Sequence, residues 1–188
     1  MWWSRQTAAA LLALSLAGLA GCGFRPLYGQ RGSGQGVVPE FAQVSIMQPD
    51  TRTDQEFRNT LLDMLTPEGS PEQPRYLLEY KITESVGSVF VTRSETVTRS
   101  NLQVSVSYYL RDYQTGQYVV SGGASSQASF NQTVNDYANL VAERDARARA
   151  LRDTAEQVRI RLANYFDRWR ELRQQQLLLQ QQQQQTAK

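Results

Sequence analysis

Leu102-Gln103-Val104-Ser105-Val106-Ser107-Tyr108-Tyr109-Leu110 is the stretch that decides the fold. Apolar residues occupy every second position, with Gln103, Ser105, Ser107 and finally Tyr109 between them. Successive side chains of a strand point to opposite faces, so the segment reads as a long β-strand half-buried against a core. Leu102, Val104, Val106, Tyr108 and Leu110 form the inward row, and Gln103, Ser105 and Ser107 the outward one. Going forward, Asp112-Tyr113-Gln114-Thr115-Gly116 is a short hairpin turn. The strand behind it, from about Gln117 to Phe130, offers Tyr118 and Val120 and then becomes Gly122-Gly123-Ala124-Ser125-Ser126. Small and polar, it is expected to bend, bulge or lie at an edge. Going backward, Tyr76, Leu78, Tyr80 and Ile82 make a further inward row.

From Asp136 to about Arg173 the period lengthens to that of a helix. Tyr137, Leu140, Val141, Ala148, Leu151, Ala155, Val158, Leu162, Tyr165, Phe166, Trp169 and Leu172 fall on one stripe. Such a helix is roughly 55 Å long against about 43 Å for a 13-residue strand, so it should outrun the sheet at one end. Ahead of the three strands, Phe41 to Met47 sets Ala42, Val44 and Ile46 against Gln43 and Ser45, a half-buried strand stopped by Pro49. Thr53-Asp54-Gln55-Glu56 has capping-box spacing and opens a helix with Phe57, Leu61, Leu62 and Leu65 on one side. Pro67-Glu68-Gly69-Ser70-Pro71 ends it. The class is therefore α+β, in the order strand, helix, three long strands, long helix.

The amino terminus has one positive charge, Arg5, before an apolar run from Ala8 to Ala20. That is a secretory signal, too short for the roughly 20 residues that a spanning helix needs. It stops at Leu19-Ala20-Gly21-Cys22, the lipobox pattern of a leucine, two small residues and the cysteine that is lipidated. Cys22 is the only cysteine of the chain, so no internal disulfide supports the exported part. Residues 1–21 read as the export signal and 22–38 as a Gly-rich flexible tether with a reach of about 20–25 Å. Residues 39–173 read as one domain, and 174–188 as a low-complexity Gln-rich tail, disordered or a weakly helical continuation of what precedes it, with no assigned function.

With 20 Lys and Arg against 18 Asp and Glu, the chain carries no strong field for nucleic acid. It has no His, and so lacks the commonest general base and metal ligand. Phosphate loop, nucleophile elbow and metal-ligand spacings are missing as well, so neither an enzyme nor a cofactor or metal is expected. Asp63 and Glu68 read as surface acids. Along the long helix Arg144, Arg147, Arg149, Arg152, Arg159, Arg161, Arg168, Arg170 and Arg173 are interleaved with Glu143, Asp145, Asp153, Glu156, Asp167 and Glu171. That pattern reads as a solvated helix face. Between Ser85 and Ser100, Val89, Phe90 and Val91 stand beside Arg93 and Arg99. Two readings are open there. Guanidinium and apolar groups together suit an anionic amphiphile, while charges near a hairpin tip also keep an exposed strand pair soluble.

Cys22-Gly23-Phe24-Arg25-Pro26-Leu27-Tyr28-Gly29, with the lipobox and the order of elements, resembles the LptE family of lipopolysaccharide-assembly lipoproteins, particularly the alphaproteobacterial type. The resemblance implies a two-layer sandwich, with two helices on one face of a four-stranded, mainly antiparallel sheet. It also implies an acylated, palmitate-bearing protein on the periplasmic face of the outer membrane, seated as a plug in an LptD-like β-barrel. There it would assist lipopolysaccharide insertion without turnover. Basic residues at one sheet end are implied to touch lipopolysaccharide, a role carried here to Arg93 and Arg99. Two rivals stand beside it: a stand-alone, periplasm-facing lipid-binding lipoprotein with an apolar groove and no barrel partner, and an envelope hydrolase.

Overall fold

A computed structural model describes residues 38–67, 69–89 and 98–186. The export signal, Cys22, the tether up to residue 37, and residues 90–97 with Arg93 lie outside the described residues. One four-stranded sheet has the order β1 (Val44–Ile46), β2 (Tyr76–Val89), β3 (Thr98–Asp112), β4 (Tyr118–Gln132). β1 pairs with β2 in parallel, and the other two pairings are antiparallel. Among the described residues there are three helices: a single turn α1 (Val38–Phe41), α2 (Arg52–Leu65) and the 51-residue α3 (Asp136–Thr186). α2 and α3 cover one face of the sheet, the two-layer α+β arrangement expected.

The central strands follow their alternation. Leu102, Val104, Val106, Tyr108 and Leu110 are all buried, as are Tyr76, Leu78 and Tyr80 beside them. Burying one such side chain contributes about 1.5–3 kcal/mol. The turn after β3 is built by Asp112, whose Oδ1 accepts from the N–H groups of Gln114 (2.7 Å) and Thr115 (3.2 Å). Gly116 then adopts φ +69°, a left-handed conformation that costs glycine little. The hairpin carries an irregularity: Leu110 pairs with Val120 but Arg111 pairs with Tyr118. This bulge puts Tyr118 on the solvent side, 60% exposed, where simple alternation would have grouped it with Val120. β4 is an edge, as its small residues foreshadowed. Its Gly122 faces Tyr108 so closely that a Cβ there would meet Tyr108 Oη at 2.6 Å and Cζ at 2.8 Å.

Two local expectations are corrected. Phe41 is not the start of a strand; it ends α1, with its ring 6.0 Å from that of Phe166. Phe41 and Val44 are both buried, a spacing of three that needs a turn rather than an extended chain. The capping box is Thr51 with Asp54, not Thr53 with Glu56: Asp54 N–H donates to Thr51 Oγ1 (3.1 Å) and Thr51 N–H to Asp54 Oδ2 (3.0 Å). The earlier start leaves Glu56 free to pair with Arg52 at 3.1 Å. Of the two states open for the Gln-rich tail, the helical continuation is the one found: α3 runs past Arg173 to Thr186, since the Gln and Leu there are good helix formers and no Gly or Pro intervenes. It overhangs the sheet at both ends, leaving Tyr137, Leu140, Val141 and Leu172 exposed.

α3 is held chiefly by Ala146, Ala150, Leu151, Ala155, Val158, Leu162, Ala163 and Phe166. The alanines match the small Ala124 and Ala128 of β4 and let helix and strand approach. α2 buries Phe57, Leu61 and Leu65. Tyr80 ties α2 to the sheet, packing edge-on to Phe57 (5.0 Å) and donating its hydroxyl to the Asp54 carbonyl (3.0 Å). Burial, with the Asp54 carboxylate adding to it, pushes that phenol up to about 12.

Two predictions follow from this packing. Gly122→Ala forces the buried Tyr108 ring aside and should cost about 1–3 kcal/mol in denaturant unfolding; a variant as stable as the parent would contradict the tight approach. Burial would raise the Asp112 carboxyl, but the N–H groups of Gln114 and Thr115 and the Arg75 guanidinium outweigh it and hold the group below the usual aspartate value. A depressed carboxylate contributes stability above its unfolded value of about 3.9, and loses that contribution as pH falls through the lower folded value. Stability of Asp112→Asn should therefore fall less steeply over that acid window than the parent's; parallel pH profiles would show that Asp112 contributes nothing.

Candidate functional site

The face of the sheet turned away from the helices is open and polar. Across its middle the register aligns Lys81 with Ser107 and Gly123, Thr83 with Ser105 and Ser125, and Ser85 with Gln103 and Gln127. Nearly all of these are exposed, so the outward row of Gln103, Ser105 and Ser107 is where alternation placed it. Toward the β3–β4 turn the face gains aromatic character. Tyr118 donates its hydroxyl to Glu79 Oε2 at 3.0 Å, Arg111 pairs with Glu79 at 3.1 Å, and the Tyr109 and Tyr118 rings stack edge-on at 5.7 Å. The hydrogen bond to Glu79, more than its charge, raises the Tyr118 phenol above its usual value. Sequence reading did not single out this pair. Tyr109, an aromatic at an outward position of a regular row, was the available signal.

Arg99 lies at the other end of this face. In register it stands opposite Val89 on β2 and Asn131 on β4, and it is exposed. Two residues along, Asn101 Oδ1 accepts from the Ser129 hydroxyl at 2.7 Å, stitching β3 to β4 beneath it. Arg93 and Cys22 lie outside the described residues, so Arg99 is the one member of that set with a described position.

A second polar feature lies on the helix layer. α2 and α3 leave a groove of about 450 Å³ between them. Arg144, Arg147 and Arg152 of α3 face Arg52, Asn59 and Thr60 of α2 across it, over a floor that includes Leu151. Arg147 is anchored to Glu84 of β2 (2.9 Å) and to Glu143 (2.7 Å). Burial would lower its pKa, but those two carboxylates more than compensate and raise it. The sequence reading took these arginines as one solvated face, because interleaved acids along a chain do not reveal which side of the helix each charge occupies. Among the described residues no group of three or more acids or cysteines could hold a metal ion, and no helix is long and apolar enough to cross a membrane.

Comparison with known proteins agrees with this architecture. A lipoprotein-assigned protein of Caulobacter crescentus superposes with a TM-score of 0.58 at 24% identity, covering 71% of this chain and 96% of its own. A minor lipoprotein of Acinetobacter baumannii superposes with a TM-score of 0.53 at 16% identity, covering 66% and 92%. At such identities the likeness is one of fold. No curated protein matches the sequence. The family model described as LptE, lipopolysaccharide-assembly, matches residues 41–162, from the end of α1 through all four strands and α2 to the middle of α3. This chain belongs to the LptE family of lipopolysaccharide-assembly proteins.

Proposed function

We propose that this chain is a lipid-anchored outer-membrane protein, acylated at Cys22, that plugs an LptD-like β-barrel from the periplasmic side and assists lipopolysaccharide insertion without catalysing a reaction. Family membership supports the role in lipopolysaccharide assembly. The observation that carries the plug reading is the open polar face. Barrel lumens are lined by polar groups, and a domain meant to fill one needs a surface of hydroxyls and amides rather than an apolar skin. Lys81, Thr83, Gln103, Ser107, Ser125 and Gln127 supply such a surface, while the apolar rows stay under the helices. The corner of Tyr109 and Tyr118 adds two amphipathic aromatics of the kind enriched at protein interfaces.

Acyl chains on Cys22 contribute about 0.8 kcal/mol per buried methylene, and more than one chain makes an anchor stable. A carrier that works alone would need a cavity for acyl chains. The groove between the helices is lined largely by arginines and hydrogen-bonding side chains, which favours the plug. Lipopolysaccharide contact is assigned to Arg93 and Arg99, the latter exposed at the end of the open face and able to bind phosphate with its forked donors.

Extracted from membranes in mild detergent, the full-length protein should co-purify with a single large β-barrel and show an acyl-modified Cys22 in its intact mass. Recovery only as a free, unacylated monomer would overturn the assignment. Replacing Arg93→Glu and Arg99→Glu together should weaken lipopolysaccharide binding by roughly tenfold or more, with the circular dichroism spectrum unchanged. Undiminished binding would remove both residues from the site.

A further inference from the structure

The charges of α3 are sorted by direction. Asp145 pairs with Arg149, whose guanidinium also donates to the Ser129 carbonyl of β4. Asp153 accepts from the Ser126 hydroxyl of β4. Residues 145, 149 and 153, four apart, thus form a stripe along the sheet edge. Arg144, Ala148 and Arg152 form the neighbouring stripe, turned toward α2. Glu143, Asp145 and Asp153 are engaged by Arg147, Arg149 and Ser126, and α2 lines the groove with Thr53, Asn59 and Thr60 and with Glu56, whose carboxylate is paired with Arg52. Arg144 and Arg152 are exposed at the groove mouth. Ala148 lies between them on the helix and lines the groove with them.

We infer that the groove between α2 and α3 is a binding site for a phosphorylated sugar, separate from Arg99 on the opposite face of the sheet. The guanidinium groups of Arg144 and Arg152 hold the phosphate through charge-assisted, forked hydrogen bonds, and the Asn59 amide and Thr60 hydroxyl meet sugar hydroxyls. Size supports this class of ligand: about 450 Å³ lies within the usual range for small-molecule sites. The inference rests in part on the lipopolysaccharide reading, because phosphorylated sugars occur in that glycolipid as well as free in solution.

The test uses the full-length protein and two probes, glucose 1-phosphate and lipopolysaccharide, each compared with its unphosphorylated form. Glucose 1-phosphate should shift backbone amide resonances of Asn59, Thr60 and Ala148, and glucose should not. Two variants report on the site: Arg144→Gln with Arg152→Gln, and Ala148→Glu, which places a carboxylate four residues from each arginine on an exposed helical position. Both should stay folded and lose glucose 1-phosphate binding by roughly tenfold or more; Arg168→Gln, on the same helix outside the groove, should not. Absence of shifts, equal shifts with glucose, or unchanged affinity in Ala148→Glu overturns the inference. Weaker binding of intact but not of dephosphorylated lipopolysaccharide in the groove variants identifies the glycolipid as the source. Loss confined to glucose 1-phosphate overturns that source in favour of a free sugar phosphate. Co-purification with the barrel, followed in the same variants, reports on the plug assignment alone.

Discussion

Covering the sheet on one side only is the constraint from which the rest of the molecule follows. Three strands of 14 or 15 residues must keep two chemically different faces along their whole length. A slip of a single residue in any pairing would turn an entire apolar row into water. Register is therefore pinned more than once. Asp112 and Gly116 fix where β3 reverses, the bulge at Leu110 and Arg111 absorbs one residue, and Tyr108 fits only over a residue as small as Gly122. The edges are treated differently. β1 is only three residues long, and β4 is dominated by Ser, Gly and Ala with α3 lying along it. Both devices reduce the exposed pairing edge that an open sheet presents.

Elements whose pattern is local and regular could be read directly from the chain. The rows of β2 and β3, the Asp112–Gly116 turn and the edge character of β4 belong to this group, because strand period and turn chemistry are properties of a few neighbouring residues. Misreadings arose where a tertiary contact chose between two local options. Thr51 with Asp54 and Thr53 with Glu56 have the same spacing, and the chain uses the first. The alternation of Ala42, Val44 and Ile46 suggests a strand starting at Phe41, yet Phe41 ends a helical turn and packs on Phe166, far along the sequence. The apolar stripe of the long helix runs through large residues such as Tyr137 and Leu140, which are exposed, whereas Ala146, Ala150 and Ala163 are fully buried. Small residues carry little hydropathy signal, and they matter here because the strand beneath is itself made of small residues.

The functional surfaces divide the same way. An outward row on a regular strand is legible, so Gln103, Ser105 and Ser107 could be placed on the open face from sequence. The arginine groove was not, because it exists only where α2 crosses α3 and depends on Asp145 and Asp153 being occupied at the β4 edge. Net charge near zero concealed a spatial separation of charge.

That separation gives the two layers independent tasks. The sheet offers a broad face of hydroxyls and amides with few fixed charges, suited to lying against another polar surface over a large area, since each weak contact there can be met by several alternative partners. The helix layer concentrates guanidinium groups around a small concave volume, suited to one compact anion. Because the packed core lies between them, a partner seated on the sheet leaves the groove open. A ligand held between α2 and α3 in turn contacts the two elements whose packing on Phe57, Leu61, Leu151 and Phe166 holds the sheet in shape. Direct polar links join the helix layer to the sheet at Arg147, whose guanidinium reaches from the groove to Glu84 on β2, and at Tyr80, whose hydroxyl donates to the Asp54 carbonyl of α2, so coupling between the surfaces has more than one route.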